Sequence, residues 1–178
     1  MTLARMVARN KLPSSVLASR GLREMQAEDT SQVVSLWQQY MKRFKLYPCY
    51  SHEEFKHNLL SGSGHGRPIN GRRQGQVVWS YVVEVGVIRA RKWCAIDDKS
   101  WQNPETHLIT DFFTFYSLPS TVMRNPNHGL LEAAYLYYYA SDAAFGNISN
   151  EDRLQRRLQE LIGEALIIAQ KVRSPHIY

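Results

Sequence analysis

Cysteine is scarce in this chain. Cys49 and Cys94 are the only two in 178 residues, and they form no C-x-x-C pair. That excludes a disulfide framework and favours a reducing, cytoplasmic setting. Neither lies in a reactive motif, so both are read as plain thiols. Long apolar runs are missing as well: none reaches the roughly 18 residues of a membrane span. No glycine cluster fits G-x-G-x-x-G or a P-loop. The histidines show no metal-ligand spacing with a third ligand, and no Ser/His/Asp order can be defended from spacing. Acids are absent from the first 23 residues, which carry Arg5, Arg9, Lys11, Arg20 and Arg23. That start has the composition of a mitochondrial transit peptide. It lacks the unbroken apolar stretch of a secretory signal.

What is present suits one folded domain. Hydrophobic residues make up 44% and charged residues 21%, a globular balance. The formal charge of +6 is concentrated in the start, in Arg67, Arg72 and Arg73, and in Arg89, Arg91 and Lys92. A nucleic-acid or anionic-membrane binder would need more than this. The first two clusters carry no interleaved aromatics and no nucleic-acid motif is found, so solvated loops explain them better.

Periodicity then places the elements. A helix starts at Asp29, with Asp29 as N-cap and Gln32 three residues on as in a capping box. Its apolar face runs Val33, Leu36, Trp37, Tyr40, Phe44, and Pro48 ends it. Ser51 and Glu54 cap a second helix that buries Phe55 and Leu59. The stretch SGSGHGRPINGRRQGQ, with five glycines, reads as a flexible surface loop. Val77 to Glu84, Ile109 to Ser117 and Leu130 to Tyr139 are β-branched and aromatic strands, the second leading into a Leu118-Pro119-Ser120 turn. Asp111 reads as a strand-start hydrogen-bond acceptor. Asp142 to Asn150 is a polar loop. Glu151 to Lys171 is a helix with Leu154, Leu158, Leu161, Ile162, Ala165 and Ala169 buried, and Arg153, Arg156, Arg157 and Glu160 wet. The order of helix, helix, three strands and helix implies an α/β (α+β-like) domain, with a mostly antiparallel sheet and packed helices. The pattern names no reaction.

ITDFFTFYSLPSTV followed by NPNHGLLEAAYLYYY resembles the C-terminal half of the glycylpeptide N-tetradecanoyltransferase (protein N-myristoyltransferase) family. GLREM at Gly21–Met25, the two capped helices, VVWSYVVE and LQELIGEALIIAQK fall where that family has counterparts. The resemblance covers Met1 to Glu84 and about Asn103 to Lys171, and it turns the basic start from a transit peptide into an internal piece of a longer enzyme. It implies an acyl-CoA N-acyltransferase (GNAT-like) half, here incomplete. It implies transfer of a myristoyl group from myristoyl-CoA to the N-terminal glycine amine of protein substrates, with no metal. Ser120 matches a family serine facing the peptide groove and Tyr135 a tyrosine lining it. Tyr116 is a weaker candidate beside core Phe113 and Phe115. No catalytic residue is carried over.

Three departures accompany the resemblance. The acyl-CoA half with its oxyanion hole has no counterpart here. The family's further strand, helix and catalytic terminal carboxylate have none either, so the Tyr178 carboxylate is not that group. Residues 85–102 are an atypical insertion, expected as a loop outside the core, and 172–178 a non-family tail. Both begin with codons able to spell a eukaryotic splice donor, and a transcript without one would contradict an intron origin. The domain is therefore bounded at 1–171, with a sheet edge and apolar helix faces expected to be uncovered. The alternative to an acyltransferase piece is a non-catalytic peptide-binding or docking module.

Overall fold

The computed structural model describes residues 2–9, 11–12, 19–69, 71–86, 107–124, 129–145 and 151–172. The insertion beyond Gly86, the tail beyond Val172 and Cys94 lie outside them. Among the described residues no helix is long and apolar enough to cross a membrane.

A four-stranded antiparallel sheet organises the chain. Its strands are β1 (Leu22–Glu24), β4 (Val78–Gly86), β5 (His107–Thr121) and β6 (Leu130–Ser141), side by side in that order. Alternation along β5 sends Phe112 to one face and Phe113 and Phe115 to the other. On the first face α2 (Thr30–Met41) and α3 (His52–Leu60) bury Trp37, Tyr40, Phe55 and Leu59 against Val82, Phe112 and Ala140. On the second, α4 (Glu151–Val172) buries Leu161, Ala165, Ile168 and Val172 against Trp79, Phe113 and Phe115. The result is a helix–sheet–helix sandwich, with β6 as an edge strand among the described residues. A short helix, α1 (Leu3–Arg9), precedes it.

Several local expectations hold. Ser51 and Glu54 cap α3 reciprocally: Ser51 N donates to Glu54 Oε2 at 2.8 Å and Glu54 N to Ser51 Oγ at 3.3 Å. These bonds hold the Glu54 carboxyl below its ordinary pKa. The strands and α4 sit within a few residues of their expected positions. Val85 and Gly86, expected to open the insertion, instead extend β4 by pairing with Leu108 and His107.

Other expectations are corrected. Asp29 does not cap α2 with its side chain. Its carboxylate receives two bonds from Arg23, at 2.7 and 2.8 Å, and one from Gln26 N. Arg23 also donates to Glu84 at 2.6 Å, so one guanidinium ties β1, the turn at Ala27–Asp29 and β4. Gln32 is no capping partner either: its Oε1 accepts from Ile109 N at 3.1 Å and anchors the start of β5. The helix ends at Met41, well before Pro48, and leaves Phe44 about half exposed.

The expected flexible loop is an ordered hairpin, β2 (His65–Ile69) with β3 (Arg72–Gln74). Its Asn70-Gly71 pair is a strong hairpin-turn sequence, and Gly71 has the positive φ of 79° such a turn requires. Gly21 is constrained more tightly. Its φ is 84° and a Cβ there would lie 2.0 Å from the Glu84 carbonyl oxygen, so β1 can dock on β4 only with glycine before it.

On α4 the buried stripe is shifted. Ile162 is exposed, whereas Ile168, Val172 and Glu164 are buried. Arg157, placed on the wet face from its period, turns inward.

Candidate functional site

The β5–β6 hairpin outruns the sheet. The last β4 pairing is Val78 with Tyr116, followed by a bond from Ser117 N to Val77 O at 2.9 Å. Residues 118–121 and 130–133 then continue as a free two-stranded ribbon. Leu118-Pro119-Ser120 is therefore strand rather than the expected turn. Alternation explains how proline fits. Ser117 N points toward β4, so the nitrogen two residues on points the same way. At Pro119 that direction passes the end of β4, and no ladder bond is lost.

The same alternation sorts the side chains. Tyr116, Leu118 and Ser120 lie on the α2–α3 side of the sheet, with cross-strand partners Tyr135, Ala133 and Leu131. Tyr116 and Tyr135 stack at 5.6 Å with 19° between planes, and Tyr137 meets Tyr116 edge-on at 5.6 Å. Tyr135 is 44% exposed and Tyr116 half-buried. Ser120 lies four residues further along, about 13 Å at strand spacing. It shares the face without touching the tyrosines, and its hydroxyl makes no hydrogen bond to another described residue. Leu118 and Leu131 complete this exposed apolar face. They were not singled out from the sequence, although the two-residue period from Tyr116 to Ser120 contains the signal for Leu118.

The inner end of this face is packed against the core. Tyr138 bonds Tyr50 hydroxyl to hydroxyl at 2.8 Å. Burial, then that bond, pushes the Tyr138 hydroxyl's pKa upward. Both rings pack on Trp37. An amphipathic wall of tyrosines, with a hydroxyl further along the same face, can pack apolar groups and orient a polar backbone.

A second, polar cavity of about 840 Å³ lies at the opposite end of the sheet. Among its lining residues is Asp111, which accepts from Arg157 Nε at 3.1 Å and Nη2 at 2.7 Å, and from Thr110 Oγ1 at 2.8 Å. Asp111 is thus a hydrogen-bond acceptor, as its strand position implied. Asp142 on the same cavity has its pKa raised, first by burial and then by the Asp111 charge, against the pull of Arg153 and Arg157. A carboxyl raised above its ordinary value of 3.8 penalises the fold once ionised. Asp142→Asn should therefore stabilise the protein at neutral pH. The gain should fade as pH falls through the folded-state pKa and vanish below the ordinary value. Urea titrations at pH 7 and pH 3.5 measure this, and an equal effect at both would contradict it.

The sequence profile described as myristoyl-CoA:protein N-myristoyltransferase, C-terminal domain, matches residues 1–175. The chain belongs to this family. As an N-myristoyltransferase C-terminal domain it is 42% identical over 170 residues to the glycylpeptide N-tetradecanoyltransferase of Aspergillus fumigatus, which spans 96% of this chain and 29% of that protein. The Schizosaccharomyces pombe counterpart is also 42% identical, over 153 residues, 85% of this chain and 28% of that protein. Among solved structures, Saccharomyces cerevisiae N-myristoyltransferase with bound myristoyl-CoA superposes with a TM-score of 0.70 at 36% identity, covering 95% of this chain and 34% of that one. The mixed helix and antiparallel-sheet class expected of a GNAT-like half is the class observed. The chain spans about a third or less of the relatives it matches.

Proposed function

We propose that this domain is one wall of the peptide groove of a glycylpeptide N-tetradecanoyltransferase. In this reading the exposed face of the β5–β6 hairpin holds the N-terminal segment of a substrate protein, and a myristoyl group passes from myristoyl-CoA to its glycine amine. The supporting observation is the shared face: Tyr116 and Tyr135, where the hairpin leaves the sheet, and Ser120, on the free ribbon beyond them, project to one side. Tyr135 and Tyr116 form the apolar wall, Ser120 supplies a hydroxyl for a peptide group, and Leu118 and Leu131 extend the contact.

Amide formation also requires a neutral amine placed against the thioester carbon and donors for the developing oxyanion. The hairpin face offers the first part of this, a positioning surface. In this reading activation of the amine, the oxyanion site and the myristoyl-CoA site fall to regions of the enzyme outside this domain, which spans 29% and 34% of two of its relatives. Residues 1–178 alone are accordingly expected to give no turnover above background with myristoyl-CoA and a glycine-led octapeptide. A cytoplasmic setting is part of the proposal; Cys49 is free and exposed.

Calorimetry with the octapeptide tests the face itself. Binding should be saturable, and Ser120→Ala combined with Tyr135→Ala should weaken it about tenfold or more. Turnover by the chain alone would refute the division of labour. Binding indifferent to the double substitution would refute the face.

A further inference from the structure

A groove of about 740 Å³ runs along the other face of the hairpin, between it and the second half of α4. It is separate from the Tyr116–Tyr135 face, because the strand alternation that sends those tyrosines one way sends Ser117 and Pro119 the other. Its floor is Trp79 and Phe115, stacked at 5.4 Å with 8° between planes. Its walls are Leu166 and Ala169 of α4 and Pro119 and Ala134 of the hairpin. Leu166 is half exposed, an aliphatic side chain facing space that no described residue fills.

Charge is distributed unevenly along this groove. Arg72 lays its guanidinium over the Trp79 ring, 5.8 Å from the centroid, and has no carboxylate partner among the described residues. Its neighbour Arg73 pairs with Glu24, so the free fork is specific to Arg72. Lys11 adds a second cation to the lining. The one acid among the described lining residues, Glu132, stands opposite Pro119. Pro119 is four residues along β5 from Phe115, about 13 Å. Arg72 therefore makes the Trp79 end of the groove cationic and Glu132 the Pro119 end acidic, with apolar residues between them. The Ser117 hydroxyl in the floor is buried without a hydrogen-bond partner, an exception to the usual pairing of buried polar groups.

We propose that this groove binds an apolar monocarboxylate. Its carboxylate sits on the Arg72 fork, where planar bidentate geometry matches, and its hydrocarbon lies against Leu166, Ala169, Pro119 and Ala134. A ligand with negative charge along its length would meet Glu132, which selects for a single anionic end.

Titration calorimetry on the whole chain tests this with sodium octanoate, 4-phenylbutyrate and neutral 1-octanol. Both carboxylates should bind saturably, about tenfold tighter than octanol, since a charge-assisted bond distinguishes them. Arg72→Gln should remove that preference and leave octanol binding unchanged, while Arg72→Lys keeps part of it. Leu166→Ser should weaken all three ligands. Ser120→Ala and Tyr135→Ala, on the opposite face, should alter none, which separates this groove from the peptide face. Equal affinity for octanoate and octanol, absence of saturable octanoate binding, or carboxylate preference surviving in Arg72→Gln would each overturn the proposal.

Discussion

Arg157→Ala is expected to cost about 3–5 kcal/mol of folding stability, the loss typical when one partner of a buried ion pair is removed. Asp111 is 3% exposed at its side chain and Arg157 20%. Arg157 neutralises that carboxylate through two directed bonds and also donates to Ser19 Oγ at 2.9 Å. It thereby joins α4, β5 and the segment before β1. Burial disfavours the guanidinium charge, but the Asp111 hydrogen bonds and charge outweigh it and hold the Arg157 pKa above its ordinary value. Alanine would leave Asp111 charged in a buried position with only Thr110 and solvent to satisfy it. The companion variant separates desolvation from packing. Arg157→Met combined with Asp111→Leu removes both charges and should recover much of the loss. Urea unfolding followed by circular dichroism measures both. A loss below about 1 kcal/mol for Arg157→Ala would place the pair in the range of exposed surface bridges, with water in the adjoining cavity solvating Asp111.

Phe112→Ala is expected to cost a similar amount, about 3–5 kcal/mol, by a different route. Phe112 is fully buried at the centre of the sheet, in register with Val82 and Ala140. Its ring meets Phe55 edge-on at 6.2 Å and 82°. Alanine there removes apolar burial and leaves a cavity that two β-strands and two helices cannot easily close. Phe112→Leu keeps most of the volume and should cost less than half as much. Small domains hold only about 5–15 kcal/mol in total, so the alanine variant should unfold at much lower urea. A midpoint unchanged from the parent would mean that α2 and α3 do not rest on this face of the sheet. Neither Phe112 nor Arg157 lies on the hairpin face, so their effects on peptide binding should follow folded fraction alone.

The two residues differ in how readable they were. Phe112 sits in a run of β-branched and aromatic residues, and a strand there follows from the run itself. Arg157 lies in the outward phase of an otherwise regular helical period. Nothing local distinguishes it from Arg153 or Arg156; the acceptor that turns it inward is 46 residues earlier in the chain. Gln32 was misjudged for the same reason. Three residues after Asp29 it looked like half of a capping box, but the β5 backbone offered it a better donor. Ser51 and Glu54 have the same spacing without competing partners, and there the local rule holds. The 61–76 stretch was misjudged differently: its glycines suggested looseness, while its Asn-Gly pair specified a hairpin.

Local pattern and composition settled what kinds of elements this chain makes and roughly where they lie, because a strand's alternation and a helix's period are properties of neighbouring residues. The long motif through Leu118-Pro119-Ser120 and Ala133-Ala134-Tyr135 carried the family. The tertiary structure decided that Pro119 continues a strand, since that depends on where β4 stops. It decided that Ser120, Tyr116 and Tyr135 share a face, since that depends on register between β5 and β6. It also opened a second groove behind them, which no stretch of sequence contains, because its floor, walls and free guanidinium come from five separate elements.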